Sequence, residues 1–247
     1  MNISRAACAP GALCAISLIQ AVGDPPVEWG TLVSRRGGQI RAYDWPSNSP
    51  LAELPAPAGF VEAAAATAGW FIGGHGTAED GTTRPVCWDW AFNATDMLPP
   101  GAASGVIVAA DPEGDLEATG LGGSVVDAGG NGLYRAAFWP NPPRNTIVDL
   151  HPTSPEYLGS SVYAVRAVGD QMRQAGMAVR AVAGGRPTRR CHAMTWCGTA
   201  ASAFDLHDLL PEEYVQSTAT FIDAAGNVAG AAQDVDGMWH AVFWARA

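Results

Sequence analysis

The sequence predicts an all-β chain, a five-bladed β-propeller of four-stranded antiparallel blades, and three observations carry that prediction. A five-residue box ending in Trp recurs five times: Arg41 to Trp45, Arg84 to Trp88, Arg135 to Trp139, His192 to Trp196 and His240 to Trp244. The boxes lie about 43 to 57 residues apart, the spacing of propeller blades. Before each box a short β-branched or aromatic run closes on a Gly turn, at Gly23, Gly69, Gly114, Gly169 and Gly226. Asp24, Asp115, Asp170 and Asn227 follow four of these glycines, pairs that tolerate the backbone angles of tight hairpins. After each of the first four boxes comes an acidic residue followed by Leu or Met: Glu53-Leu54, Asp96-Met97, Asp149-Leu150 and Asp205-Leu206.

One unit therefore reads as a strand, a Gly turn, a second strand, a Trp-box strand and an acidic-Leu strand. A single such sheet cannot bury both faces, so the units must stack radially. Gly30, Gly73, Gly120, Gly176 and Gly230 are expected to end the second strands. The excursions 73–83, 120–132, 151–159 and 183–190 are expected to be loops. Pro-rich stretches recur in phase with the repeat and read as inter-blade loops, so residues 1–247 form a single domain. The fifth unit has no acidic-Leu strand. Asn2-Ile3-Ser4-Arg5 is expected to supply it, closing the ring by pairing the N- and C-terminal segments.

Composition narrows the function. Gly and Pro together number 47, which suits turns rather than long helices. The chain has no lysine, which removes Schiff-base and P-loop lysine chemistry. A net charge of −10 argues against nucleic acid and against an anionic membrane as partners. Five cysteines without a C-x-x-C pair suggest free thiols rather than a disulfide framework or structural zinc. Residues 5–18 imitate a signal peptide, but Pro10 and Gly11 interrupt it and the first blade needs residues 14–23. A cytoplasmic protein is expected, with secretion as the alternative.

The His-Ala-x-x-Trp boxes at His192 and His240, the run Gly226-Asn227-Val228-Ala229-Gly230 and the Asp205-Leu206 element resemble the HAF-repeat proteins, named for a His-Ala-Phe tripeptide. The resemblance is best in the last unit and fair in the fourth. The first three units are degenerate, with Arg in place of His and Pro85 in place of Ala. It covers most of the chain through short motifs. It implies propeller-like β repeats, no single assigned activity and no catalytic residues to carry over.

Familiar catalytic signatures are absent, and the Gly-rich runs lack dinucleotide spacing, so no cofactor is expected. His192 and His240 replace the Arg of the other boxes, which points to one structural hydrogen bond per blade. Asp149-Leu150-His151 and Asp205-Leu206-His207 place an oxygen and a nitrogen ligand on one strand face. The acid also recurs without His, so these read as repeat positions and no metal is expected. His151 and His207 remain acid/base candidates, together with Glu62 and Tyr163, which interrupt otherwise small apolar first strands. Counting three residues back from each turn Gly gives Gln20, Ala66, Asp111, Arg166 and Asp223, a ring of mixed charge at one channel mouth or a salt-bridged plug. Gln20, Asp111, Arg166 and Asp223, with Trp70 and His75, form the candidate ligand set. The expected function is binding of a small polar or aromatic molecule at that mouth by a monomer. An enzyme of specialised metabolism and a protein-interaction scaffold are the alternatives.

Overall fold

The computed structural model describes residues 13–22, 27–36, 39–46, 52–67, 70–111, 120–129, 132–182 and 188–246, with side chains before residue 52 described only at Thr31, Val33 and 40–44. The side chains of Val182 and Thr188 are likewise outside the description. Five antiparallel meanders follow one another along the chain. Sheet 1 contains β1 (Leu13–Val22), β2 (Val27–Arg36), β3 (Gln39–Pro46) and β4 (Ala52–Leu54). Sheet 2 contains β5 (Phe60–Ala65), β6 (Ile72–Ala78), β7 (Thr83–Trp88) and β8 (Ala94–Asp96). Sheet 3 contains β9 (Ala102–Ala110), β10 (Leu121–Asp127), β11 (Arg135–Trp139) and β12 (Val148–Asp149). Sheet 4 contains β13 (Tyr157–Val168), β14 (Gln171–Val182), β15 (Thr188–Trp196) and β16 (Phe204–Asp205). Sheet 5 has three strands among the described residues: β17 (Tyr214–Ile222), β18 (Val228–Asp234) and β19 (Trp239–Trp244). The arrangement is all-β and propeller-like. No helix among the described residues is long and apolar enough to cross a membrane.

The Trp boxes are the third strands, and their tryptophans fill the seams between successive sheets. Trp88, Trp139 and Trp196 are fully buried and Trp244 nearly so. Trp139 packs with Ile107, Leu121 and Ala137 of its own sheet against Phe71, Cys87 and Met97 of sheet 2. Trp88 Nε1 donates to the Pro55 carbonyl at 2.6 Å, Trp139 Nε1 to Met97 at 3.2 Å and Trp244 Nε1 to Leu206 at 3.0 Å. Each bond satisfies a carbonyl at the outer strand of the preceding sheet. Trp196 Nε1 is buried without a partner. The side chain of Trp45 lies outside the described residues.

Within each of sheets 1 to 4 the first box residue holds the acid of the fourth strand. Arg41 Nη1 lies 2.8 Å from Glu53, Arg84 Nη1 3.1 Å from Asp96, Arg135 Nε 3.1 Å from Asp149 and His192 Nδ1 2.8 Å from Asp205. The aspartates also accept a backbone N–H two residues on, from Leu98, His151 and His207. The following residue, Met97, Leu150 or Leu206, then turns into the seam. In sheet 5 the fourth strand is missing from the description, and His240 bonds instead to Asp234 of its own hairpin at 2.7 Å.

The glycines of the second strands do not end them. Gly74, Gly123, Gly176 and Gly230 occupy one register position, each opposite the box residue two before the Trp. A Cβ there would collide with a first-strand carbonyl, of Ala64, Val106, Ser161 and Thr218 respectively. The cause is a β-bulge beside each of them, which bends the first strand inward. In sheet 2 the N–H groups of Ala66 and Thr67 both point at the Gly73 carbonyl. In sheets 3, 4 and 5 the register shifts over Val108, Tyr163 and Thr220. Glycine is thus required by close backbone approach in mid-strand, not by a turn. For the same reason most of 73–83 and 120–132 is strand, in β6 and β10, and His75 stands on a strand rather than a loop.

Replacing Gly176 by Ala is expected to lower stability by about 1–3 kcal/mol, the range for overpacking a filled site. Gly169→Ala, at a hairpin turn where an added Cβ meets open space, is expected to act only through its positive φ of 63°. Urea midpoints of both variants check this, and an unchanged midpoint for Gly176→Ala would remove the bulge argument.

Candidate functional site

Two further bonds cross each of the seams between sheets 3 and 4 and between sheets 4 and 5. Ser160 Oγ accepts the Ala136 N–H at 2.9 Å and lies 2.8 Å from His151 Nδ1. Ser217 Oγ accepts the Ala193 N–H at 2.9 Å and lies 2.8 Å from His207 Nδ1. Each serine hydroxyl thus joins a backbone N–H of one sheet to the imidazole that follows the same sheet's fourth strand. Both serines are buried while His151 and His207 are half-buried, and each Asp, His and Ser grouping ties two neighbouring sheets together. Burial lowers the pKa of His151 and of His207 below 6.5, with the neighbouring His192 lowering His207 further. At the seam of sheets 2 and 3 the box has Pro85, which has no N–H to donate. Gly105 holds the place of the serine there and lies against the Pro85 ring.

The candidate ring residues sit at the hairpin ends of the first strands. Gln20, Asp111, Arg166 and Asp223 share one register position, whereas Ala66 falls on the sheet 2 bulge. Asp111 and Arg166 come together, with Arg166 Nη1 3.9 Å from the carboxylate, which also accepts the Ala167 N–H at 2.8 Å. Both are almost fully buried, which makes them part of the wall between sheets 3 and 4. Asp223 is engaged in its own turn, accepting from Ala225 N–H, Asn227 N–H and the Asn227 side chain at 2.7–2.9 Å. The hydrogen bond from the Asn227 side chain leads those that hold its carboxyl below the usual carboxylate range. Trp70 stands exposed at this end. The side chain of Gln20 lies outside the described residues.

Glu62 and His75 meet near the opposite end of sheet 2. Glu62 of β5 pairs with Thr77 of β6 and His75 with Ala64, so the two side chains are diagonal neighbours on one face. Glu62 Oε2 accepts the Ile40 N–H of sheet 1 at 3.1 Å, and Thr77 Oγ1 lies 3.5 Å from Oε1. A cavity of about 270 Å³ opens on the pair, completed by Ile40, Ala63, Thr83 and Val106. A second, of about 200 Å³, adjoins it across Glu62 and Ile40 toward Arg41 and Glu53. Burial lowers the His75 pKa, and the charge of Glu62 opposes that shift.

Among the described residues four of the five histidines are engaged: His151 and His207 by serine, His192 and His240 by aspartate. His75 is the exception. It makes no hydrogen bond there, and its Nδ1 is buried without a partner. Sequence reasoning named Glu62 and His75 separately, because their meeting depends on strand register. Tyr163 is the extra residue of the β13 bulge, its phenol raised by burial, and sits two sheets from Glu62. His192, Asp205 and Asp208 place ligand-type atoms within 4.8 Å of one another. Arg180 stands among them, 3.8 Å from Asp205 and 3.4 Å from Asp208, and supplies the positive charge.

No family model and no curated protein matches the chain. Among solved structures it is similar to an alpha-L-arabinofuranosidase from Lactobacillus brevis, at 10% identity and a TM-score of 0.40, over 93% of this chain and 90% of that one.

The seam histidines set a pH dependence. Folded, His151 and His207 resist protonation; unfolded, each returns to about 6.5, so the unfolded chain binds more protons below that value. Their contribution to stability is complete above about pH 6.5 and is lost as pH falls through it toward the folded values. Unfolding free energy measured from pH 7.5 to 5 is expected to decline, with a shallower slope for His207→Asn. A slope unchanged by that substitution would contradict the connector role.

Proposed function

We propose that the five sheets close into a five-bladed propeller of the kind the HAF-repeat resemblance implies, and that the protein binds a small polar or aromatic molecule in the cavity of Glu62 and His75. Closure is supported by the free face of sheet 5. Phe221, Ala229 and Phe243 align across it, with the two phenylalanines 56% and 62% exposed. The matching Phe138 of sheet 3 is buried against sheet 4. Sheet 1 of the same chain is the occupant proposed for that face, with Asn2 to Arg5, which lie outside the described residues, proposed to pair on β19 as the fourth strand. Deleting residues 1–9 is expected to lower the thermal unfolding temperature by several degrees. An unchanged transition would overturn closure by this segment.

The binding reading is carried by His75, the histidine that the repeat does not use. A buried polar nitrogen without a partner is costly unless something else completes it. The concave space beside it and the adjacent carboxylate are the ordinary makings of a small-molecule site. The same pair supports the catalytic alternative, since a neutral imidazole beside a carboxylate is able to accept a proton. A ligand-observed NMR screen of small polar and aromatic compounds is expected to give hits that His75→Ala weakens at least about tenfold, about 1.4 kcal/mol. Hits that bind the variant as well as the parent would place the site elsewhere.

A further inference from the structure

We infer that the Glu62 and His75 cavity takes a small organic cation, a protonated primary amine carried on an apolar body. This rests on the binding reading above and adds the class of ligand. The argument is a balance of donors and acceptors. Glu62 carries a negative charge into a half-buried position and receives one backbone N–H and one long threonine contact. No arginine forms an ion pair with it among the described residues, whereas the carboxylates of the repeat, Glu53, Asp96 and Asp149, each have one. His75 beside it is kept neutral by burial, and a neutral imidazole offers one acceptor nitrogen.

Among the described residues the lining therefore supplies no positive charge, and the neutral His75 ring provides its one side-chain N–H donor. A neutral alcohol supplies one donor and no charge, and a carboxylate ligand would repel Glu62. An ammonium group supplies three donors and the charge, a match for the Glu62 carboxylate and its diagonal neighbour His75 on the lining. The remaining wall is apolar, from Ile40, Ala63, Ala64 and Val106, which suits a compact hydrocarbon or aromatic body. Thr77 and Thr83 at the same wall have hydroxyls for a second polar group.

The test uses the full chain at pH 8 and three probes on one benzyl body: benzylamine, benzyl alcohol and benzoate. Affinity is read by ligand-observed NMR titration, and location by the ring proton shifts of His75. Benzylamine is expected to bind at least about tenfold tighter than benzyl alcohol, with benzoate weaker than either. Glu62→Gln is expected to remove the amine's advantage, while Glu212→Gln, on a remote exposed segment, keeps it. Should Glu62→Gln fail to fold, raising the pH through the amine's own pKa must erase its advantage on the unaltered protein. Benzyl alcohol binding at His75 as tightly as the amine would overturn the inference and leave the binding reading standing. If no probe moves the His75 resonances, both fall.

Discussion

The structure depends on a bond made between neighbours. The outermost strand of each of sheets 1 to 4 is only two or three residues long, too short to hold itself. It is fixed from inside by the first residue of the Trp box, which grips its acid, and in sheets 1, 2 and 4 also from outside by the Trp of the next sheet, whose indole N–H donates to a carbonyl at its end. Where the pair is buried, as at His192 and Asp205, removal of one partner leaves a buried polar group unsatisfied, which costs more than the bond's own net contribution. Order therefore passes from sheet to sheet, as expected of a repeat whose unit cannot bury both faces alone.

The parts legible in the sequence were those repeated with the same chemistry. Trp139 and Trp244 announced the third strands, Asp149 and Asp205 the fourth, and the exchange of Arg for His at position 192 announced a donor that the structure shows gripping an acid. Glycine was harder to read. In Gly226 it marks a turn, while in Gly230 it marks a bulge in the opposite strand, and composition alone does not separate a residue needed for positive φ from one needed for close approach. That ambiguity turned β6 and β10 into loops on paper and hid the diagonal pairing of Glu62 with His75. Register decides which side chains meet, and each bulge shifts the register by one residue.

The histidines show the same division. Those at 151 and 207 follow an aspartate at strand spacing and stand among the candidates for proton transfer in the enzyme alternative. Each lies against a buried serine that also accepts a backbone N–H, a set of contacts repeated in two seams. A site worth testing lies where the repeat is broken. Sheet 2 has glutamate on its first strand, a histidine in its second and proline in its box, and around those departures the seam opens into cavities.

The pairing of Pro85 with Gly105 bears on how such a chain is able to grow. Sheet 4 presents Ala193 and His207 on its trailing side and Ser160 on its leading side, so it is complementary to a copy of itself. Sheets 3 and 5 fit it for the same reason. Sheet 2 is different: with proline in its box it has no donor for a serine, and the glycine of sheet 3 accommodates it. Duplication of the sheet 4 segment in tandem would reproduce a working seam, whereas duplication of sheet 2 would not. The later part of the chain thus behaves as interchangeable modules, and the early part is locked to one neighbour.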